Sequence, residues 1–143
     1  MAPEPIRAPV SPQEATILVV EDNLQNFVLI ARLLGYLGVR EIQWKASGWQ
    51  VLEFASQLPR IDLILLDIHL PYEDGYQVLR QIRAHPHFQG TRVVAVSAEA
   101  TEDNMRRARE AGFDGFIGKP IDPDAFPEQI RRILAGEEVW TLG

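Results

Sequence analysis

Four short apolar runs in this chain each end in a polar residue or lead straight into one. Residues 16–20 (TILVV) run into Glu21 and Asp22, and residues 62–66 (DLILL) run into Asp67. Residues 92–96 (RVVAV) end at Ser97, and residues 116–118 (FIG) lead to Lys119 and Pro120. In a parallel α/β sheet, ligands bind at the carboxyl ends of the strands. The four endings would then gather into one pocket holding three carboxylates, a hydroxyl and an ammonium. Clustered carboxylates attract a hard divalent cation, while the hydroxyl and ammonium donate to phosphate oxygens. The set describes an Mg²⁺-assisted phosphoryl site.

Between these runs the chain alternates strand and helix, the pattern of a doubly wound sheet. A first helix is predicted over 25–37, with Phe27, Ile30, Ala31 and Leu34 at helical spacing and Gly38 as its stop. A second strand follows at 41–46, and a second helix runs from Trp49 to before Pro59. The third helix starts near Gly75 and stops at Pro86. The fourth covers 101–111, with Met105, Ala108 and Ala111 facing inward. The fifth starts no earlier than Asp124, because Pro127 is tolerable only in a first turn, and it ends at Gly136. Residues 1–14 carry Pro3, Pro5, Pro9 and Pro12 and are expected to form a flexible arm. That leaves a domain over 15–136 and a tail over 137–143, in which Trp140 docks either on the domain or on a partner.

The stretches 17–23, 63–71, 93–98 and 114–120 resemble the receiver domain of two-component response regulators. Their spacing resembles the family's as well: 45 residues from Asp22 to Asp67, 30 more to Ser97, and 22 more to Lys119. The resemblance covers about residues 15–135. It implies a flavodoxin-like (βα)5 fold of strand order 2-1-3-4-5 and a phosphorylation-controlled signalling role without enzymatic turnover. The short chain and the Glu21-Asp22-Asn23 opening with Asn26 look most like lone receivers and those of hybrid kinases.

The resemblance also distributes roles. Asp67 is the phosphoacceptor, taking the group from a phosphohistidine of a sensor histidine kinase or histidine phosphotransfer protein; by itself, a strand-end Asp also reads as a turn cap. Asp22 and Asp67 are implied as direct Mg²⁺ ligands, with Glu21 acting through water and the His69 backbone carbonyl completing the protein's share. Three such carboxylates repel one another by about 4 kcal/mol per pair at 4 Å and an effective dielectric of 20, and a dication relieves that repulsion. Lys119, in a cis peptide with Pro120, pairs with Asp67 at rest and with the phosphoryl group after transfer. Ser97 binds a second phosphoryl oxygen and moves toward it, and Phe116 is the aromatic that turns inward in response. His69 and Glu99, each two residues past a site residue, either flank the acceptor and tune the phosphoryl lifetime or are plain loop side chains.

Composition narrows the alternatives. With no cysteine, disulfides and thiol chemistry are excluded, and the cytoplasm fits. A net charge of −6 argues against nonspecific nucleic-acid binding. No run of 18 apolar residues spans a membrane, and the N-terminus does not read as a signal peptide. Output is therefore expected through a downstream protein target, by way of the fourth helix, fifth strand and fifth helix, from a monomer or weak dimer. A haloacid-dehalogenase-like phosphatase shares the Asp, Mg²⁺, Ser/Thr and Lys. It needs a second Asp two residues past the nucleophile, where this chain has His69. A receiver fold serving as a constitutive scaffold is the remaining alternative, and the intact quartet argues against it.

Overall fold

The alternation of side chains along the central strands decides where the rest of the chain sits. The computed structural model describes residues 8–143. Strands β1 (Thr16–Val20), β3 (Leu63–Asp67) and β4 (Arg92–Ser97) are buried almost throughout. Successive strand residues point to opposite faces, and here both faces are apolar. Leu18, Val20, Ile64, Leu66, Val93 and Ala95 enter one core, and their neighbours Ile17, Val19, Leu63, Leu65, Val94 and Val96 enter the other. A sheet buried on both sides is the parallel kind, with helices on each face.

The helices divide accordingly. Helix α1 (Leu24–Leu37) contributes Ile30 and Leu34 to the second core, together with Ile130 and Leu134 of α5 (Phe126–Leu134). The first core takes Val51 of α2 (Gly48–Glu53), Leu79 and Ile82 of α3 (Gly75–Ala84) and Ala108 of α4 (Glu102–Ala111). With β2 (Glu41–Lys45), β5 (Gly115–Gly118) and β6 (Trp140–Thr141), the strand order is β2-β1-β3-β4-β5-β6, every pairing parallel. The order 2-1-3-4-5 is therefore present, extended by a sixth strand. No described helix is long and apolar enough to cross a membrane.

Local chemistry sets the helix ends that matter for the site. The Asn23 side chain caps α1 by accepting from Asn26 N at 3.0 Å, and Gly38 closes it in the left-handed region at φ 106°. Thr101 caps α4 in the same way, accepting from Asn104 N at 3.1 Å. Helix α2 is tied to the β3–α3 loop by the Glu73 carboxylate, which accepts from Gly48 N and Trp49 N at 2.8 Å each.

Two expectations differ from the structure, and of the two places expected for Trp140 the domain is the one taken. Residues 1–7 of the proline-rich arm lie outside the described residues, but residues 8–14 are not a free arm. Val10 packs on the second core and its N–H donates to Leu134 O at 2.8 Å, and Arg92 reaches Ala8 O at 3.0 Å. One apolar side chain with a core edge to cover outweighs the local proline content. In α4, Ala111 is exposed rather than inward and Met105 is only half-buried, because the helix meets the sheet mainly through Ala108. The tail does not hang free. Trp140 stands opposite Phe116 in the β5–β6 register, packs against the first core, and lies under the Arg109 guanidinium at 4.4 Å.

Close approach of β6 to β5 depends on glycine. A methyl at Gly115 would stand 2.7 Å from Val139 O, and one at Gly118 would overlap the Leu142 carbonyl and lie 2.6 Å from Ala100 Cβ. Gly115→Ala should cost about 1–3 kcal/mol by overpacking, and much less in a chain ending at Gly136. Urea denaturation of the four proteins in this cycle measures it; equal costs in both backgrounds would detach Gly115 from the sixth strand.

Candidate functional site

The carboxyl ends of β1, β3, β4 and β5 meet at one edge of the sheet. Glu21 follows β1, and its side chain is almost wholly buried at 2% exposure. Asp67 ends β3 and is also buried, while Asp22 stands exposed at the rim. Carboxylate oxygens of the three lie within 4.8 Å of one another. The sequence shows no basic neighbour for this cluster; the fold supplies one from 98 residues away. Lys119 Nζ lies 2.9 Å from Asp67 Oδ2 and 3.1 Å from Glu21 Oε2. Lys119 reaches them through the cis Lys119–Pro120 turn after β5, and its N–H donates to Ser97 O at 2.8 Å, which ties it to the end of β4.

Glu21 and Asp67 each have a second partner. Asp67 Oδ1 accepts from His69 N at 2.9 Å. Glu21 Oε1 accepts from the Asn26 amide at 3.0 Å, and the Glu21 carbonyl accepts from the Trp44 indole N–H at 2.7 Å. No buried side-chain nitrogen or oxygen among the described residues lacks a partner. Burial raises the Glu21 pKa above its ordinary value; the Asp67 carboxylate beside it adds to the rise, and Asn26 and Lys119 oppose it. For Lys119, burial works against the charge, but the hydrogen bond and charge of Asp67, reinforced by Glu21, leave its pKa raised.

Ser97 is fully buried at the end of β4. Its Oγ accepts from Glu99 N at 3.1 Å and lies 3.2 Å from His69 Nε2. The His69 ring is also 3.8 Å from Glu99 Oε2. His69 and Glu99 are thus brought together with Ser97 rather than scattered on their loops, although both side chains are exposed. Phe116 is wholly buried in the first core and faces Trp140 of β6.

Two site contacts had no place in the sequence reading. Asn26 enters the sequence only as part of the opening that resembles lone receivers and hybrid kinases, with no contact assigned to it, and Trp44 only as a large aromatic in the short second strand. Trp44 is stacked on Phe27 of α1 at 4.6 Å between centroids and 7° between planes.

The donor set fits Mg²⁺. It offers hard oxygens from three carboxylates, two of them backed by an ammonium, and the exposure of Asp22 would leave room for the several waters Mg²⁺ keeps. Without metal, Glu21 should favour the folded state most when protonated. A carboxyl whose folded pKa is raised contributes stability that is fully present below its ordinary value of 4.5 and is lost as pH rises through the folded value. Glu21→Gln cannot ionise, so in chelator its stability relative to wild type should increase between pH 4 and pH 7. Urea midpoints at both pH values measure this, and a gain at pH 4 exceeding that at pH 7 contradicts it.

Comparison with known proteins places this geometry. A family model described as the response regulator receiver domain matches residues 17–131. The signal transduction histidine-protein kinase BarA of Escherichia coli K12 is 35% identical over 124 residues, 87% of this chain but only 13% of BarA. The polar-differentiation response regulator DivK of Brucella anthropi is 33% identical over 119 residues, 83% of this chain and 95% of DivK. Among solved structures, the receiver domain of sensor histidine kinase PA1611 from Pseudomonas aeruginosa PAO1 gives a TM-score of 0.72 at 31% identity, covering 86% of this chain and 98% of that one. It is described with a magnesium ion coordinated in its active site cleft. The chemotaxis regulator CheY4 of Vibrio cholerae, 22% identical with a TM-score of 0.73, shares the fold over 83% of this chain and 98% of its own. A match along most of the sequence, on a sheet whose strand ends gather the acidic cluster and its lysine, makes this chain a member of the response regulator receiver domain family of two-component signalling.

Proposed function

We propose that this chain is an Mg²⁺-dependent response regulator receiver whose Asp67 accepts a phosphoryl group from a phosphohistidine of a sensor histidine kinase or histidine phosphotransfer protein. The observation that carries this reading is the convergence on one carboxylate. Asp67 Oδ2 is 2.9 Å from the Lys119 ammonium, and the oxygens of Glu21 and Asp22 lie within 4.8 Å. The match along 95% of the response regulator DivK supports it.

In the transfer, an Asp67 carboxylate oxygen bonds to phosphorus as the phosphorus–nitrogen bond of the donor breaks, and the electron pair returns to the imidazole. Glu21, Asp22, Asp67 and the His69 carbonyl would hold the Mg²⁺, which neutralises charge on the phosphoryl oxygens. Lys119, already on Asp67, passes to a phosphoryl oxygen. Ser97 supplies a hydroxyl to another, and to do so it gives up or shares its contact with the His69 ring. The chemistry is confined to the protein's own aspartyl group, so the chain is a signalling domain rather than an enzyme with an external product. The added group carries up to about two negative charges. It draws Ser97 inward, and the room released is taken by Phe116, altering the face made by α4, β5 and α5 on which a downstream protein docks.

Incubation with Mg²⁺ and a small phosphodonor, followed by intact mass, tests the acceptor. Wild type should gain one acid-labile phosphoryl group and Asp67→Asn none, because an amide forms no acyl phosphate; incorporation by the variant excludes Asp67. Asp22→Ala should keep the fold and weaken Mg²⁺ binding at least about tenfold, by titration of the amide resonances.

The lifetime of the phosphoryl group should depend on the His69–Ser97–Glu99 contact. His69→Ala and Glu99→Ala are each expected to change the dephosphorylation rate several-fold while phosphorylation persists. Freeing Ser97 and opening a water path act in opposite directions, so the sign is left to the measurement. Identical decay rates for wild type and both variants would return these residues to plain loop positions.

A further inference from the structure

Residue 21 is held at every polar atom. Its N–H donates to Lys45 O at 3.1 Å, its carbonyl accepts from Trp44 Nε1 at 2.7 Å, and its carboxylate is shared between Asn26 and Lys119. Lys119 belongs to the phosphoryl chemistry, but Asn26 and Trp44 do not. The carbonyl that Trp44 holds belongs to the peptide joining Glu21 to Asp22. Asp22 is exposed, and among the described residues no hydrogen bond fixes its side chain. The direction of Asp22 is therefore set by its backbone, and one face of that backbone is fixed by the indole.

The indole is itself held in place. Its ring lies flat on Phe27, 4.6 Å away and 7° from parallel, so β2 and the first turns of α1 clamp the acidic turn between them. Asn26 comes from the same helix turn, where its neighbour Asn23 provides the cap. An amide in a first helical turn is a weak choice for the helix, and this one is spent on Glu21.

We propose that Asn26 and Trp44 are positioning residues for the metal: Asn26 fixes the Glu21 carboxylate, and Trp44 fixes the Glu21–Asp22 peptide that aims the exposed ligand. The assignment rests on the reading of Glu21, Asp22 and Asp67 as an Mg²⁺ site. Hydrogen-bond partners of metal ligands orient them, and removing one commonly weakens metal binding about 10–100-fold. Glu21 is expected to act through water, so the lower end applies to Asn26.

The test is an Mg²⁺ titration of the full chain, without phosphodonor, followed by amide and indole N–H resonances. Trp44→Phe keeps an aromatic ring on Phe27 and removes only the donor, and Asn26→Ala removes the amide from a half-exposed position. Each should weaken Mg²⁺ binding about tenfold with the fold intact. In wild type the Trp44 indole N–H should shift with the same midpoint as the Asp22 and Asp67 amides, while the exposed Trp49 indole stays still. A purely structural clamp would lower the urea midpoint and leave Mg²⁺ affinity unchanged in the folded protein. Wild-type affinity in both variants therefore overturns the assignment and leaves the metal site standing. Absence of any Mg²⁺ response at residues 21, 22 and 67 in wild type, at tens of millimolar, overturns both. Should Trp44→Phe fail to fold, Asn26→Ala carries the same comparison.

Discussion

A single ammonium between two buried carboxylates is the contact on which the functional edge of this sheet depends. Glu21 and Asp67 stand at the ends of adjacent strands β1 and β3, where their charges repel by about 4 kcal/mol at 4 Å and an effective dielectric of 20. Lys119, 2.9 Å from one and 3.1 Å from the other, turns that repulsion into a bridged triad. It cancels one charge of the cluster and leaves the others unbalanced. That residual charge makes the edge hospitable to a dication, while burial, with the Asp67 carboxylate adding to it, keeps the Glu21 pKa raised despite the lysine. The arrangement is thus one whose electrostatics remain incomplete, and in the proposed reading a dication completes them from outside.

Much of this geometry was legible from the chain because it follows from strand physics. The apolar runs before Asp67 and Ser97 are β3 and β4, and helices cover both faces of the sheet they form. Parallel pairing carries the residues that end these strands to one edge, so Asp67, Ser97 and Lys119 could be grouped before any distance was known. What the chain did not disclose depends on pairs far apart in sequence. Nothing near Glu21 points to Trp44, 23 residues on, or to the Asn26 amide turning back upon it. The His69–Ser97 contact joins a loop to a strand end 28 residues away, and local reading offers no reason for it.

The sixth strand shows a different limit. Trp140 and Thr141 are too short a run to read as a strand, and the residues that permit the pairing lie elsewhere, in Gly115 and Gly118. Those glycines look like weak points in β5 when judged by propensity. Their absent side chains are what let the backbone of residues 139–142 approach. The docked segment before β1 has the same character, since Val10 is placed by an exposed edge of the core and not by its proline-rich neighbours.

The sixth strand also changes what the proposed switch can reach. Phe116 is wholly buried in the first core, against which Ala100, Met105 and Trp140 pack. A close-packed interior does not absorb a ring displacement silently, so movement of Phe116 must be taken up by α4 or by β6. Toward α4 the half-buried Met105 offers an adaptable side chain. Toward β6 the path runs through the main chain, because Phe116 N donates to Val139 O at 2.9 Å and its register partner Trp140 sits beneath Arg109 of α4. Both routes end on the same surface, where Arg109 joins the helix to the strand. In the proposed reading β6 therefore joins the output face of α4, β5 and α5, and a target docking there would meet the indole of Trp140 as well as the arginines of α4.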